Sequence, residues 1–287
     1  MSPAEPSKAQ WTTVIGPPES LFDLKLGELW RYRDLISLFV WRDFVSVYKQ
    51  TILGPLWYLI QPLFTTLVFT VIFGKLANIS TDGTPPVLFY MAGVVTWRYF
   101  SDCLTKTSNT FVGNAHIFGK VYFPRLTVPV AVVISNLIGF AIQFALFLAF
   151  LAYYALQGAS LQPHWGYLLL LPLLVLQMAA LGLGFGIAIS SLTTKYRDLT
   201  QLVAFGVQLW MYATPIVYPM SMVPEQWRWM LALNPMAPVV EMFRYAFVGS
   251  GTPDLGYWAL SVCVTVLVLL GSIVLFNRVE KSFMDTV

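Results

Sequence analysis

Few side chains in this 287-residue chain could carry out chemistry. It has two histidines, His116 and His164, and two cysteines, Cys103 and Cys263. Together they form no metal-ligand spacing, and neither histidine has an acidic neighbour in sequence to orient it as a base. A phosphate-cradling loop needs Gly-Lys followed by Ser or Thr. Here Gly74 and Lys75 precede Leu76, and Gly119 and Lys120 precede Val121. The chain therefore does not hold ATP in that manner. Gly182, Gly184 and Gly186 lie within an apolar run with no strand before them, so close helix packing explains them better than a nucleotide. Two pairs of opposite charge have contact spacing: Arg98 with Asp102 at i, i+4, and Glu241 with Arg244 at i, i+3.

The elements that must position these groups follow from composition. Charged residues make up 11% of the chain, under half the ~25% of a soluble domain, while 57% is apolar and 16% aromatic. So little charge cannot cover a soluble globule, and so much apolar surface excludes disorder. A net charge of +3 is too small for a nucleic-acid binder. The class is an all-α polytopic membrane protein.

A helix needs about 20 apolar residues to cross the hydrocarbon. Six stretches qualify: residues 52–73, 86–100 (continuing as a more polar helix toward 112), 127–156, 167–192, 199–222 and 257–276. Residues 227–248 are apolar but broken by Asn234, Pro235 and Pro238. That break predicts two short re-entrant helices dipping into one leaflet, with a seventh span as the alternative. Lys and Arg concentrate before span one, between spans two and three, after span four and at the C-terminus, leaving Lys75, Arg228 and Arg244 opposite. Both termini are therefore expected in the cytoplasm. Residues 1–26, rich in proline at the start, read as a flexible cytoplasmic leader. Residues 51–287 read as one transmembrane domain.

Residues 27–50 have the charge density that the spans lack. At helical spacing Leu29, Ile36, Val40, Phe44 and Val47 fall on one side and Glu28, Arg31, Arg42, Ser46 and Lys49 on the other, with Leu35 and Phe39 out of pattern. This predicts an amphipathic helix in the cytoplasmic interface. Within the spans ionisable groups are almost confined to Arg98 and Asp102, expected to pair near the end of span two. That scarcity counts against coupling to an ion gradient and favours a separate ATPase as the energy source.

Several strings, in order, resemble the permeases of ABC exporters for O-antigen, capsule and teichoic acid, the Wzm, KpsM and TagG type. They are GPLWYLIQP at 54–62, WRYF at 97–100, NAHIFGKVYFPR at 114–125 followed by Pro129, YRD at 196–198, and NP at 234–235 through EMFRY at 241–245. The resemblance runs from about residue 31 to the end. It implies a type-2 ABC exporter membrane domain that works as a homodimer with two copies of a cytoplasmic ABC ATPase. ATP and Mg would be bound by that ATPase, with no cofactor in this chain. The substrate implied is a lipid-linked polysaccharide; a teichoic acid, lipid or drug-like substrate is the alternative. A non-transport scaffold or glycosyltransferase is the reading from another class.

The resemblance also implies roles. His116, Lys120, Tyr122, Phe123, Arg125, Tyr196, Arg197 and Asp198 would couple to the ATPase, although the basic residues among them also suit plain topology determination. Trp57, Tyr58, Phe64, Phe69, Tyr90, Trp97, Tyr99, Trp210 and Tyr212 would line a path for sugar rings. Aromatic residues are equally routine at membrane interfaces. Arg31, Arg33, Arg42 and Lys49 would meet the charged head group, and Trp227, Trp229, Glu241 and Arg244 would form an extracytoplasmic gate.

Overall fold

The computed structural model describes residues 26–49, 51–118, 120, 123–193 and 198–283, and those residues are helical with connecting turns. Helices α1 (Leu26–Arg31) and α2 (Arg33–Tyr48) come first, parted at Tyr32. Next are α3 (Trp57–Phe69), α4 (Pro86–Ser108), the single turns α5 (Thr110–Gly113) and α6 (Ala115–Phe118), and α7 (Thr127–Leu156). The chain continues through α8 (Trp165–Leu168), α9 (Leu171–Thr193), α10 (Leu199–Tyr212), α11 (Glu225–Ala232), α12 (Met236–Val248) and α13 (Leu255–Phe283). Four stretches are long and apolar enough to cross a membrane: Gly54–Leu76, Thr127–Leu156, Leu171–Thr193 and Leu255–Arg278.

Helix α4 is the centre of the bundle. It packs on α3, α7, α9, α10 and α12, and α9 packs in turn on α13. The glycines of α9 set these spacings. A Cβ on Gly182 would lie 2.5 Å from Cys103 Cβ, and one on Gly186 would lie 2.4 Å from Thr107 Cβ, both on α4. Gly184 faces the other way, where a Cβ would come within 3.2 Å of Leu269 Cα on α13. Small residues allow such approach where lipid provides no hydrophobic drive between helices.

Two expected spans, one and five, differ from what folds. Span one keeps Pro62 inside α3, where its missing N–H removes one rung, and then widens into a π-helix over Thr70–Leu76. Span two continues past 100 as a more polar helix, as expected, and is α-helical through Ser108, which places Arg98 mid-helix. Its polar turns hold because Ser101, Thr105 and Ser108 donate back to carbonyls three or four residues earlier. Span five is helical only to Tyr212 and does not continue to 222. Pro215 disfavours helix at Thr214 and brings no donor, and Pro219 repeats the block.

Helix α2 lies against α7, and its packing face keeps Ile36 and Val40 of the expected side but adds Leu35 and Phe39, which had been out of pattern. Phe39 is the residue buried, against Phe123 at 5.9 Å between ring centroids, with Leu35, Ile36 and Val40 around it. Trp30, Leu38 and Trp41 stay exposed. A pattern read for one interface could not register that the helix must also dock on a neighbour.

Candidate functional site

A polar edge of α4 is the first feature. Arg98 Nε lies 3.3 Å from Asp102 Oδ2, and Arg98 Nη2 donates to Gln61 Oε1 on α3. One turn further, Lys106 Nζ donates to Asn136 Oδ1 on α7 at 2.6 Å. The Arg98 and Asp102 side chains remain 36% and 29% exposed in the protomer. A charge facing lipid at the centre of a membrane span costs at least ~2.5–3.5 kcal/mol. Gln61 entered the sequence reading only as part of the string at 54–62, and Asn136 not at all; each is an amide within an apolar run, and that was the available signal.

The aromatic set divides. Phe69 packs edge-on against Phe73 and Tyr90, Tyr99 packs on Phe140 at 5.2 Å, and Trp97 packs on Phe100 and Trp210 at 5.3 and 6.1 Å. Phe69, Tyr90, Trp97 and Tyr99 are all buried within this chain, where they pack between helices. Tyr58 is half-buried and fits over Gly139 of α7, where a Cβ would come within 2.9 Å of the ring. Trp210 is half-buried at a hub with Phe100 and Phe185. Trp57, Phe64 and Tyr212 remain exposed, on α3 and at the end of α10. Large rings supply the most apolar area per side chain, so residue type alone does not separate packing from an open wall.

At the junction of α10 and α12, Asn234, read in the sequence as part of a helix break, holds the turn. Asn234 Oδ1 accepts from Trp210 Nε1 at 2.9 Å and from the Met236 N–H at 3.0 Å. Its Nδ2 donates to Thr214 Oγ1 at 2.8 Å and to the Ala213 carbonyl at 3.2 Å. All four hydrogen-bonding positions of the amide are used. Asn234→Ala is expected to destabilise the protein by about 1–3 kcal/mol, since it strips several partly buried groups at once. Thermal unfolding of detergent-purified protein checks this, and an unchanged midpoint would show the junction is held elsewhere.

Glu241 and Arg244 lie below that junction, both buried. Arg244 Nη2 donates to the carbonyls of Pro215 and Ile216 at 3.0 and 3.3 Å, and Nη1 lies 3.6 Å from Glu241 Oε2. The guanidinium sits 3.7 Å above the Phe89 ring of α4. Gly93 lets residues 214–217 cross α4, because a Cβ there would come within 2.9 Å of Ile216 Cγ2. Glu241 Oε1 accepts the Thr252 N–H at 3.1 Å. The pair thus ties α12 to the segment where α10 stops. Trp227 and Trp229, expected in the same gate, are exposed on α11.

The expected coupling residues scatter in character. Phe123 is buried against Phe39 and Phe118, Arg125 is half-buried, and Lys120 and Asp198 are exposed. Asp198 stands immediately before α10. The backbone of His116 belongs to α6, while Tyr122, Tyr196 and Arg197 lie outside the described residues. Of the head-group residues, Arg31, Arg33, Arg42 and Lys49 are all exposed. Arg42 pairs with Asp43 at 2.8 Å and lies over the Phe39 ring, and Arg33 lies 3.9 Å from Asp34.

Residues 34–248 match a sequence profile described as ABC-2 type transporter. The chain is 27% identical over 252 residues to an O-antigen export system permease protein, RfbA, of Klebsiella pneumoniae, covering 88% of this chain and 94% of that one. It is 27% identical over 263 residues to RfbA of Myxococcus xanthus, covering 91% and 98%. It is also 26% identical over 255 residues to the capsule polysaccharide export inner-membrane protein CtrC of Neisseria meningitidis, covering 83% and 88%.

Proposed function

The chain belongs to the ABC-2 type transporter family, and from that membership we propose that it is the membrane subunit of an ATP-driven polysaccharide exporter. It moves a lipid-linked glycan of O-antigen or capsule type from the cytoplasmic to the outer side of the inner membrane. It works as a homodimer, driven by two copies of a separate cytoplasmic ATPase. The observation that carries this reading is the end-to-end similarity to relatives named for O-antigen export, which spans 88% of this chain.

In this reading α3, α4, α7, α9, α10 and α13 are six spans with both termini in the cytoplasm. Residues 27–50 lie in the cytoplasmic interface, where Arg31, Arg33, Arg42 and Lys49 meet the charged head group, and α11 with α12 forms the outer gate. Residues 114–125 and 194–199 dock on the ATPase through Lys120, Arg125, Arg197 and Asp198. The conduit wall is the edge that α3, α4 and α10 leave uncovered in the protomer, bearing Trp57, Phe64 and Tyr212. Its polar groups support this placement, because they are costly against lipid and cheap against water or sugar.

Co-purification of the chain with its ATPase, then hydrolysis assayed in proteoliposomes, tests the reading. ATP turnover is expected only in the complex and is expected to rise severalfold when lipid-linked glycan from the producing cells is added. Turnover by the chain alone, or a complex indifferent to that glycolipid, would overturn it.

A further inference from the structure

We propose that Gln61, Arg98 and Asp102 form a sugar-hydroxyl binding rung within the conduit, flanked on α3 by Trp57 and Phe64 as stacking platforms for sugar rings. This rests on the export reading above and names the substrate contact within it.

Depth comes first. Arg98 is twelve residues from Pro86 and ten from Ser108 along α4, so at ~1.5 Å per residue it lies ~15–18 Å from either end. Gln61, which Arg98 reaches, is seven residues from Gly54 and fifteen from Leu76, so the rung lies at least ~10 Å inside either end of both helices, within a hydrocarbon layer ~30 Å thick. Charged and amide groups left partly exposed at that depth need a polar surround. α10 packs on one flank of this edge through Trp97 and Trp210, and α3 meets the other through Gln61 and Arg98. Ser101 and Thr105, both half-buried, fall between those flanks on the helical wheel.

Charge balance then selects the ligand. The Arg98 charge is offset by Asp102, and its Nε and Nη2 are already engaged. Arg98 Nη1 and Asp102 Oδ1 have no protein partner among the described residues, which leaves one strong donor beside one strong acceptor. That is the complement of a hydroxyl pair, each of whose members both donates and accepts. A phosphate would call for uncompensated positive charge. On α3, Trp57, Gln61 and Phe64 follow at i, i+4 and i+7, so the amide stands between two exposed rings on one face. A ring face for stacking beside an amide, a guanidinium and a carboxylate is the chemistry of neutral sugar recognition.

The test uses the permease–ATPase complex in proteoliposomes. Thr65→Cys places a thiol one turn from Gln61 without altering the rung, in a Cys263→Ser background. A charged, membrane-impermeant methanethiosulfonate reagent is expected to modify it at least tenfold faster than Leu267→Cys on the exposed face of α13. Equal or slower labelling would place the edge against lipid and overturn the proposal, whatever the substrate. Lipid-linked glycan extracted from cells lacking the ATPase is then titrated against ATP turnover. Arg98→Gln and Asp102→Asn are each expected to raise its half-saturating concentration about tenfold, with Arg98→Lys intermediate. Asp102→Asn lowering that concentration would mark an anion site, and no shift in any variant would mark a structural pair; either overturns the proposal. The double Arg98→Gln/Asp102→Asn variant keeps the pair neutral, and it serves where a single change impairs folding. If the unaltered complex ignores the glycolipid while the labelling contrast holds, it is the export reading that fails and not the water-lined edge.

Discussion

Arg244→Met is expected to destabilise the protein by about 3–5 kcal/mol, because it leaves Glu241 charged, buried and without its counter-ion. The geometry explains why the effect exceeds that of an exposed pair at the same spacing, which is worth only ~0–1 kcal/mol. Arg244 is fully buried and Glu241 nearly so, and the same guanidinium also serves the Pro215 and Ile216 carbonyls and covers the Phe89 ring. Its loss removes the tie between α12 and the non-helical stretch after α10. Size-exclusion chromatography of detergent extracts heated in steps should show a midpoint lower by ~10 °C or more. Glu241→Gln combined with Arg244→Met removes both charges and should recover part of the loss. If the double variant is as unstable as the single one, the carbonyl contacts and not the ion pair carry the stability.

Gly186→Val should be as damaging for a different reason. The new Cβ would meet Thr107 Cβ at 2.4 Å and the Leu104 carbonyl oxygen at 3.1 Å, atoms fixed to the α4 backbone that cannot swing aside. α4 and α9 would have to separate, and overpacking of this kind costs ~1–3 kcal/mol or more. The separation also spreads to α13, which shares α9 through Gly184. Gly206 on α10 supplies the contrast, since nothing lies within 4 Å of its would-be Cβ. Gly206→Ala should be neutral or stabilising by up to ~1 kcal/mol through helix propensity. Folded protein in solubilised membranes, read from the monodisperse peak, should fall sharply for Gly186→Val and hold for Gly206→Ala. Equal behaviour would mean that α4 and α9 are not closely apposed.

What the sequence by itself determined is the part governed by composition and local rules. Long apolar runs this poor in charge are helical in lipid, because a helix satisfies its backbone hydrogen bonds within the segment, whereas barrel strands alternate apolar and polar residues. α7 spans the expected residues 127–156, since its one proline, Pro129, falls in the first turn, where no intrahelical N–H is lost. Asn234 with Pro235 marked the break between α11 and α12, and the glycines of α9 announced close packing before any partner was known. The chain's two Gly-Lys pairs are followed by Leu76 and Val121, so neither has the Ser or Thr that a P-loop requires.

Tertiary structure decided what depends on which faces meet. Tyr90, Trp97 and Tyr99 entered the core while Trp57 and Phe64 did not, although the five are chemically alike. Whether a ring packs or lines a wall depends on whether a neighbouring helix covers it. Phe39, out of pattern for an interfacial helix, became its anchor because α7 and Phe123 lie beneath it. Gln61 joined Arg98 across 37 positions, and Asn136 joined Lys106 across 30. Helical periodicity reports only what lies within a turn or two, so contacts at such separations are set by the packing of whole helices.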